Sequence, residues 1–352
     1  MFERIKTMLN KFGSPALDWA QIEVTTHCNA FCAYCPHTAL GSRWKNRHMP
    51  MTLFRSLIPF LAHTDLVYLQ GWGEPLLHRD IFEMVRICKE RGKRVGFTTN
   101  GMLLTEDTLQ RLVELQMDII GISLAGIIEA THNRIRTGTD LNYIFSRLER
   151  LDKIKAEKRT RFPAVHLAFL MLRSNFHELK QILPVAKRLG VEQIVASNLT
   201  LIVDPRFSKE AIFSDEECKD YYINTLEDLR DKAAREKIMF DYHGPGLSDA
   251  SPGCRENVHR ACVINVEGEV GPCIFTNPLL CSLNAFKDRS CLQEAISFGN
   301  IGRETLTRIW NKKEYREFRN LFDPEIAKDL EPEHMRLQMP RSCLKCHMRF
   351  GV

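Results

Sequence analysis

The 352-residue sequence predicts an α/β fold, a partial (β/α)6 barrel followed by a loop-rich C-terminal domain. Up to about residue 200, short runs of β-branched and aromatic residues alternate with segments of helical spacing. This alternation is typical of a parallel sheet whose outer face is covered by helices. Because only six such units occur, we expect an open partial barrel rather than a closed barrel of eight units.

The predicted elements follow one another without long gaps, and Gly92 and Gly190 stand where two of the helices end. The predicted strands are 21–25, 66–70, 94–99, 119–124, 165–172 and 193–197. The predicted helices are 52–62, 81–91, 106–115, 142–158, 177–189 and 215–237. These elements define three predicted parts, a core over residues 1–200, a bridging loop and helix over 201–245, and a C-terminal domain over 246–352.

Composition and charge fit a soluble globular protein, with 44% hydrophobic and 26% charged residues. The net charge of +5 is compatible with an anionic substrate and does not call for nucleic acid. No run of eighteen apolar residues predicts a membrane span, and the N-terminus lacks the apolar core of a signal peptide. The twelve cysteines are clustered rather than spread, which favours metal ligation in a reducing cytoplasm over disulfides.

Cys28, Cys32 and Cys35 follow the first predicted strand with the spacing C-x3-C-x2-C. Three thiolates on one loop can hold three irons of a 4Fe–4S cluster and leave the fourth iron open to a substrate or cofactor. The alternative is a structural zinc site, which usually has four ligands in two close pairs, with His27 as a fourth ligand here.

This triplet, with Tyr34 directly before the third cysteine, resembles the signature of the radical S-adenosylmethionine (SAM) superfamily. The resemblance continues in order at the ends of the next strands, through Gly73-Glu74-Pro75, Thr98-Thr99-Asn100-Gly101 and Ser123. It implies an enzyme that cleaves SAM reductively to methionine and a 5′-deoxyadenosyl radical, which then abstracts a hydrogen atom. The SAM contacts that it implies are Tyr34, Gly73, Glu74, Asn100, Ser123 and Arg136.

Each implied contact has a role in the family. Gly73 and Glu74 correspond to the turn that contacts the SAM amino group, and Asn100 lies in the segment near the ribose. Ser123 and Arg136 correspond to residues that hold the ribose and the carboxylate, and Tyr34 to the aromatic residue beside adenine. Arginine suits a carboxylate because its planar fork pairs bidentately.

The sequence also departs from the family pattern in this region. Arg136 is preferred to Arg134 because its Ile-Arg-x-Gly context matches. Trp72 stands where the family turn begins with glycine, and Ala125 where many relatives carry aspartate. Further candidates at the same face are Asn175, as a lining residue, and three histidines, His37, His48 and His78. Each histidine could be a proton donor, and a structural role is the alternative for each.

The C-terminal domain resembles the SPASM extension of radical SAM maturases. A β-hairpin is predicted from Cys262 to Cys273 with its turn at Gly268, and the pair Cys343-x2-Cys346 comes much later. Because the middle cysteine run of the two-cluster form is missing, the resemblance implies one auxiliary 4Fe–4S cluster. Its expected ligands are Cys273, Cys343 and Cys346 with either Cys254 or Cys262 as the fourth.

The C-terminal cysteines also allow other sites. A structural four-cysteine zinc ribbon would use similar ligand pairs. Cys281 and Cys291 are not expected to be ligands, although a second auxiliary cluster would recruit them. Ile274 follows Cys273 where sulfatase-maturing relatives have an acidic residue, which leaves no evident general base near the cluster.

The sequence is compatible with three functions. The first is a radical SAM enzyme that modifies a peptide, a protein or a cofactor precursor, with a flavodoxin or ferredoxin as electron donor by resemblance. The second is a radical SAM enzyme of a small metabolite, such as an amino-cyclitol dehydrogenase or a tungsten- or molybdenum-cofactor enzyme. Only about twenty residues precede the first predicted strand, which favours a small or free substrate. The third is a non-catalytic iron–sulfur or zinc protein.

Overall fold

The computed structural model describes residues 17–246, 254–277, 295–344 and 346–352. Its main feature is a ten-stranded sheet, and two short strands pair separately beside it. The strands are β1 (Leu17–Ile22), β2 (Phe31–Cys32), β3 (Thr64–Tyr68), β4 (Arg94–Thr99), β5 (Ile119–Leu124), β6 (Arg136–Thr137), β7 (Ala164–Met171), β8 (Gln193–Asn198), β9 (Met239–Tyr242), β10 (Ala261–Ile264), β11 (Glu269–Gly271) and β12 (Gly299–Asn300).

Helices connect the strands, and five short helices follow β12 in the described residues. The α-helices are α1 (Pro36–Leu40), α2 (Met51–Ser56), α3 (Ile81–Glu90), α4 (Glu106–Glu114), α5 (Glu129–Ile135), α6 (Leu141–Glu157), α7 (Ile182–Arg188), α8 (Lys219–Arg235), α9 (Leu306–Trp310), α10 (Lys313–Asn320), α11 (Pro324–Ala327), α12 (Pro332–Gln338) and α13 (Arg341–Leu344). No helix in these described ranges is both long and apolar enough to cross a lipid bilayer.

The sheet order is β12-β11-β10-β1-β3-β4-β5-β7-β8-β9, and every pair from β10 to β9 is parallel. The six predicted strands are all present, as β1, β3, β4, β5, β7 and β8, which confirms the predicted α/β fold. Along β7 buried and half-buried residues alternate, so that Val165, Leu167, Phe169 and Met171 enter the core. The carboxyl ends of the parallel strands meet at one edge, where such folds bind ligands.

Several element boundaries differ from the prediction for local reasons. The predicted helix 52–62 ends at Ser56 and continues as a 3-10 helix, Ile58–His63, because Pro59 has no N–H to donate. The predicted helix 177–189 likewise begins as a 3-10 helix, Phe176–Gln181, before α7. The range 201–245, predicted as a loop and a helix, also contains β9, a seventh parallel strand that pairs with β8.

The predicted C-terminal hairpin is present, and it extends the sheet of the barrel. β10 pairs in parallel with β1, with Ile22 opposite Ile264, and β11 returns antiparallel to it. Gly268 makes the turn with a φ of +85°, which glycine adopts at little cost. The first strand of the barrel therefore has the C-terminal segment, not solvent, on its outer edge.

We predict that Ile264→Ala weakens β1 as well as β10, because Ile264 is fully buried where the two strands pair. The expected cost is about 2–5 kcal/mol for the lost side chain and the cavity it leaves. Hydrogen–deuterium exchange should show faster exchange in both strands. Phe240→Ala, in β9 at the opposite edge of the sheet, is the control that should leave β1 protected. Faster exchange confined to β10 would mean that the hairpin is stabilised independently of the barrel.

Candidate functional site

The three-cysteine loop leaves the carboxyl end of β1 and is fastened on two sides. β2 pairs with β6, which sets Cys32 opposite Arg136. On the other side the Trp44 indole N–H donates to the carbonyl of Thr26 at 2.8 Å. Cys32 is buried, and Cys28 and Cys35 are half-buried, with all three thiols free of disulfides.

The electrostatics of this loop favour a cationic group. Burial raises the pKa of Cys35 to about 12, and the neighbouring Cys32 contributes to the same shift. Burial also raises the pKa of Cys28, with Glu74 and Cys32 adding to the effect. Thiolates that repel one another in a poorly solvated loop need a positively charged partner, and iron is the metal that such thiolate sets bind in clusters.

Arg136 brings a guanidinium next to the cysteines. One of its terminal N–H groups donates to the Tyr34 hydroxyl, and its Cζ lies 6.0 Å from the centre of that ring. Its Nε is buried and has no hydrogen-bond partner among the described residues. Burial raises the pKa of Tyr34, which keeps the phenol neutral. Arg134, the other arginine of this segment, is exposed on α5.

The turn after β3 packs directly against the cysteine loop. The backbone N–H of Glu74 donates to the carbonyl of His27 at 2.7 Å. A Cβ on Gly73 would lie 2.4 Å from the Thr25 carbonyl oxygen, which is why glycine is needed here. The turn and the loop are thus held together by backbone contact.

The Glu74 carboxylate binds the protein itself. It accepts hydrogen bonds from the Thr99 hydroxyl and the Asn100 N–H, both at 2.7 Å, and from the Leu76 N–H at 3.2 Å. Burial raises its pKa, and these hydrogen bonds oppose that shift. Glu74 therefore ties the end of β3 to the end of β4, a role that its sequence motif did not reveal.

The remaining predicted SAM contacts lie at the ends of the next strands. Asn100 is buried after β4, and its side-chain amide donates to the Asn29 oxygen in the cysteine loop at 2.7 Å. Ser123 is half-buried near the end of the adjacent β5. The structure thus brings the implied SAM contacts to one edge of the sheet, around the cysteine loop.

Asn175 and His78 form structural hydrogen bonds. The Asn175 amide donates to the carbonyls of Ala125 and Leu170 from a fully buried position, so Asn175 joins strand ends rather than lining a site. Both ring nitrogens of His78 are engaged with backbone groups, of Met49 and Asp80. His78 therefore has the structural role that was its alternative.

Trp72, which replaces a family glycine, points toward the C-terminal segment. Its ring meets Phe275 edge to face, with 6.2 Å between the centroids. Its backbone N–H donates at 3.1 Å to Glu23, whose other carboxylate oxygen accepts from the Asn277 amide at 3.0 Å. Burial raises the pKa of Glu23, and these hydrogen bonds oppose that shift. The only sequence signal for this carboxylate is its place at the end of β1.

Four of the five candidate auxiliary cysteines line a single cavity in the C-terminal segment. They are Cys254, Cys273, Cys343 and Cys346. Burial raises the pKa of Cys343 to about 12 and that of Cys273 well above its usual value. No three cysteine, histidine or acidic side chains in the described ranges are grouped tightly enough for one metal ion. A 4Fe–4S cluster takes one thiolate at each iron, and four cysteines around a cavity fit that demand.

Cys262, the fifth candidate, does not line this cavity. It is fully buried in β10, in the main hydrophobic core, and burial raises its pKa to about 12. Every residue of β10 is buried, so the sequence could not tell which way this thiol faces. Cys281 and Cys291 lie outside the described residues.

Glu256 is a site residue that was not predicted from the sequence. It lines the cavity with the four cysteines, and burial raises its pKa to about 7. The structure therefore places in this cavity a carboxylate that the sequence analysis did not consider. The expectation of no evident general base rested on the residue after Cys273, whereas Glu256 follows Cys254 by two residues.

Two family models match separate parts of the chain. The family model of the radical SAM superfamily matches residues 22–195. The model of the SPASM domain, described as an iron–sulfur cluster-binding domain, matches residues 254–347. The second match covers the four cavity cysteines, and the first covers the three-cysteine loop.

Two curated relatives illustrate the range of similar proteins. The chain is 24% identical over 314 residues to the tungsten-containing aldehyde ferredoxin oxidoreductase cofactor-modifying protein of Pyrococcus furiosus, a match over 86% of this chain and 83% of that protein. It is 33% identical over 190 residues to a probable GTP 3′,8-cyclase of Saccharolobus islandicus, over 53% of this chain and 58% of that protein.

Solved structures share the fold at low sequence identity. SuiB of Streptococcus suis bound to S-adenosylmethionine has a TM-score of 0.66 at 14% identity, covering 98% of this chain and 74% of its own. Native anSMEcpe with bound AdoMet has a TM-score of 0.61 at 16% identity, covering 95% of this chain and 93% of its own. Both likenesses extend over the barrel and the C-terminal segment together.

We predict that Gly73→Ala disrupts the contact between the turn and the cysteine loop, because the new Cβ would overlap the Thr25 and His27 carbonyl oxygens. The expected loss of unfolding free energy is about 3 kcal/mol. Gly92→Ala is the matched control, with a φ of +68° but nothing within 4 Å of the new Cβ, and should cost about 1 kcal/mol. Denaturant unfolding measures both, and equal losses would contradict the close approach.

Proposed function

Because the chain belongs to the radical SAM superfamily and carries a SPASM-type domain, we propose that it modifies a cofactor precursor, a peptide or a protein by radical chemistry in a reducing cytoplasm. The observation that carries the proposal is the pairing of Cys32 with Arg136, which brings an arginine fork beside the three-cysteine loop. Thiolates for a cluster and a cation for a carboxylate at one sheet edge are what SAM binding requires.

The residues around the loop have separate roles in this proposal. Cys28, Cys32 and Cys35 hold a 4Fe–4S cluster, and Arg136 pairs with the SAM carboxylate through the N–H groups that Tyr34 does not engage. Gly73 lets the turn that binds the SAM amino group pack against the cysteine loop, while Asn100 and Ser123 contact the ribose. When bound, the cluster and SAM supply a 5′-deoxyadenosyl radical through one-electron cleavage of a sulfur–carbon bond.

Glu74 takes a positioning role in this scheme. Its carboxylate oxygens are engaged by Thr99, Asn100 and Leu76, so it supports the SAM amine mainly by fixing the turn and by its negative charge. Tyr34, held by Arg136, covers the adenine side of the site. These residues orient the cofactor and exclude water, which protects a reactive radical from side reactions.

The auxiliary cluster is proposed to be held by the four cysteines that share a cavity, Cys254, Cys273, Cys343 and Cys346. Cys262 is left out because it does not line this cavity. Glu256 in the same cavity is a carboxylate that can accept a proton when a substrate is oxidised there. Glu256 would accept a proton and the auxiliary cluster an electron, and this combination suits the oxidation of a substrate.

Among the substrate classes, a cofactor precursor has the most support. The Pyrococcus furiosus relative, whose name describes a cofactor-modifying protein, is similar over most of both chains. That breadth includes the C-terminal segment as well as the barrel, whereas the cyclase relative matches over about half of the chain. A peptide or protein side chain remains within the proposal, and a flavodoxin or ferredoxin is the expected electron donor.

We predict that the anaerobically reconstituted chain binds about eight irons and eight sulfides, and that Cys28→Ala/Cys32→Ala/Cys35→Ala lowers both to about four. The native chain should form 5′-deoxyadenosine from SAM when reduced with dithionite, and this variant should form none. Four irons falling to none, with zinc bound, would refute the auxiliary cluster. An unchanged nucleoside yield in the variant would refute the catalytic site.

The auxiliary ligands are tested by a matched pair of substitutions. Cys254→Ala should reduce the iron content to about four and leave the three-cysteine cluster in place. Cys262→Ala, which removes a fully buried thiol that does not line the cavity, should keep about eight irons. If Cys262→Ala lost the iron and Cys254→Ala kept it, Cys262 would be the fourth ligand instead of Cys254.

A further inference from the structure

The segment that carries the three-cysteine loop has an unusual charge pattern. Residues 24–64 contain no aspartate or glutamate, yet they include Arg43, Lys45, Arg47 and Arg55. The excess of positive charge in this stretch contrasts with the mixed charges elsewhere in the chain. A one-sign surface of this kind raises the association rate of an oppositely charged partner.

Two of these four cations form ion pairs with described residues, and two do not. Arg47 pairs with Glu267, and Arg55 pairs with Glu83 at 3.1 Å. Arg43 and Lys45 are exposed, and neither forms an ion pair with any residue in the described part of the chain. Their charges are therefore available to a partner.

The two free cations are held close to the cysteine loop by Thr26. The Thr26 hydroxyl donates to the carbonyl of Lys45 at 2.7 Å, and the Trp44 indole donates to the carbonyl of Thr26 at 2.8 Å. Trp44 is buried between Arg43 and Lys45 in the sequence, so it fixes the backbone of both. Thr26 precedes Cys28 by two residues, which keeps these charges beside the candidate cluster.

An exposed aromatic side chain completes this surface. Phe31 is 55% exposed although the adjacent Cys32 is buried. The Phe31 ring lies 6.2 Å from that of His37, which in turn lies 5.7 Å from Trp44. Phe31, Arg43 and Lys45 are three exposed side chains of the segment that carries the cysteine loop, and we call them the basic rim.

We propose that the basic rim is the docking site of an acidic one-electron carrier protein, an inference that rests on the proposed function. The reduced carrier loses one electron there and is oxidised by one unit. That electron, one SAM and one hydrogen atom of the substrate give methionine, 5′-deoxyadenosine and a substrate radical. The proposal assigns the expected electron donor a binding surface on this chain and a negatively charged surface of its own.

The nature of the surface favours a protein over a small anionic substrate. Small-molecule sites are concave and enclosed, whereas the basic rim consists of exposed side chains. Electron-transfer contacts are small and short-lived, and they depend on charge complementarity for their rate. The basic rim offers one exposed apolar side chain and two cations close to the cysteine loop, which suits a small contact that depends on complementary charge.

The experiment compares two reductants with the same protein. Arg43→Glu/Lys45→Glu should slow SAM cleavage supported by reduced flavodoxin about tenfold at low salt. The same variant should cleave SAM at the native rate when dithionite is the reductant, and it should keep the native iron content. For the native chain, added salt should slow the flavodoxin-supported reaction because it screens exposed charges.

The matched control is Lys153→Glu/Lys158→Glu, which makes the same change in net charge on two exposed lysines of α6 and the residue after it. The end of α6 lies at the amino end of the strands, opposite the cysteine loop, so this variant should behave like the native chain. Arg43→Lys/Lys45→Arg, which keeps both charges, should also retain the flavodoxin-supported rate.

Each outcome has one meaning. A native flavodoxin-supported rate in the rim variant, or an equal loss in the control variant, would overturn the docking site. A loss with both reductants at full iron content would also overturn it, in favour of a role in the reaction itself. Failure of the native chain to cleave SAM with dithionite would instead refute the proposed function.

Discussion

The buried carboxylate of Glu23 links the two cysteine-bearing parts of the molecule. It stands at the end of β1, five residues before Cys28, and binds the Trp72 N–H in the turn after β3. It also binds Asn277, four residues after Cys273. A buried carboxylate is costly unless hydrogen bonds satisfy it, so these contacts hold each segment at a defined position. The three-cysteine loop and the segment of Cys273 therefore share one anchor.

The pairing of β10 with β1 provides the frame within which Glu23 acts. A C-terminal domain attached only by a linker would be free to move, but here its first hairpin continues the sheet of the barrel. Trp72 adds an apolar contact to Phe275, whose ring lines the cavity of the four cysteines. This contact with Phe275 explains why tryptophan stands at position 72, where the family has glycine.

Much of the fold could be predicted because its strands carry a strong pattern. β4 and β5 have the predicted bounds, Arg94–Thr99 and Ile119–Leu124, since apolar runs with clear ends leave little choice. β9 was not predicted because its four residues, of which only Phe240 is buried, are too short a run to establish an alternation. Likewise, spacing alone could not separate Cys254 from Cys262, because spacing carries no information on the direction in which a buried thiol points.

In the site, too, the features set by a short stretch of sequence could be predicted, and those set by contacts between distant segments could not. The cysteine loop is a local motif, and its residues were found from the sequence. The partners of Glu74, the anchor Glu23 and the cavity residue Glu256 depend on contacts between distant segments, so no window of sequence reveals them. That Arg43 and Lys45 form no ion pair with a described residue, whereas Arg47 and Arg55 do, is visible only in the structure.

The most direct test of the two-cluster assignment is a crystal structure of the reconstituted chain, with anomalous scattering measured at the iron edge. We expect two iron clusters, one bound by Cys28, Cys32 and Cys35 with an open iron facing Arg136, and one in the cavity of Cys254, Cys273, Cys343 and Cys346. Zinc in that cavity, or iron bound by Cys262, would contradict the assignment of the auxiliary site. An absence of iron at the three-cysteine loop would contradict radical SAM chemistry in this protein altogether.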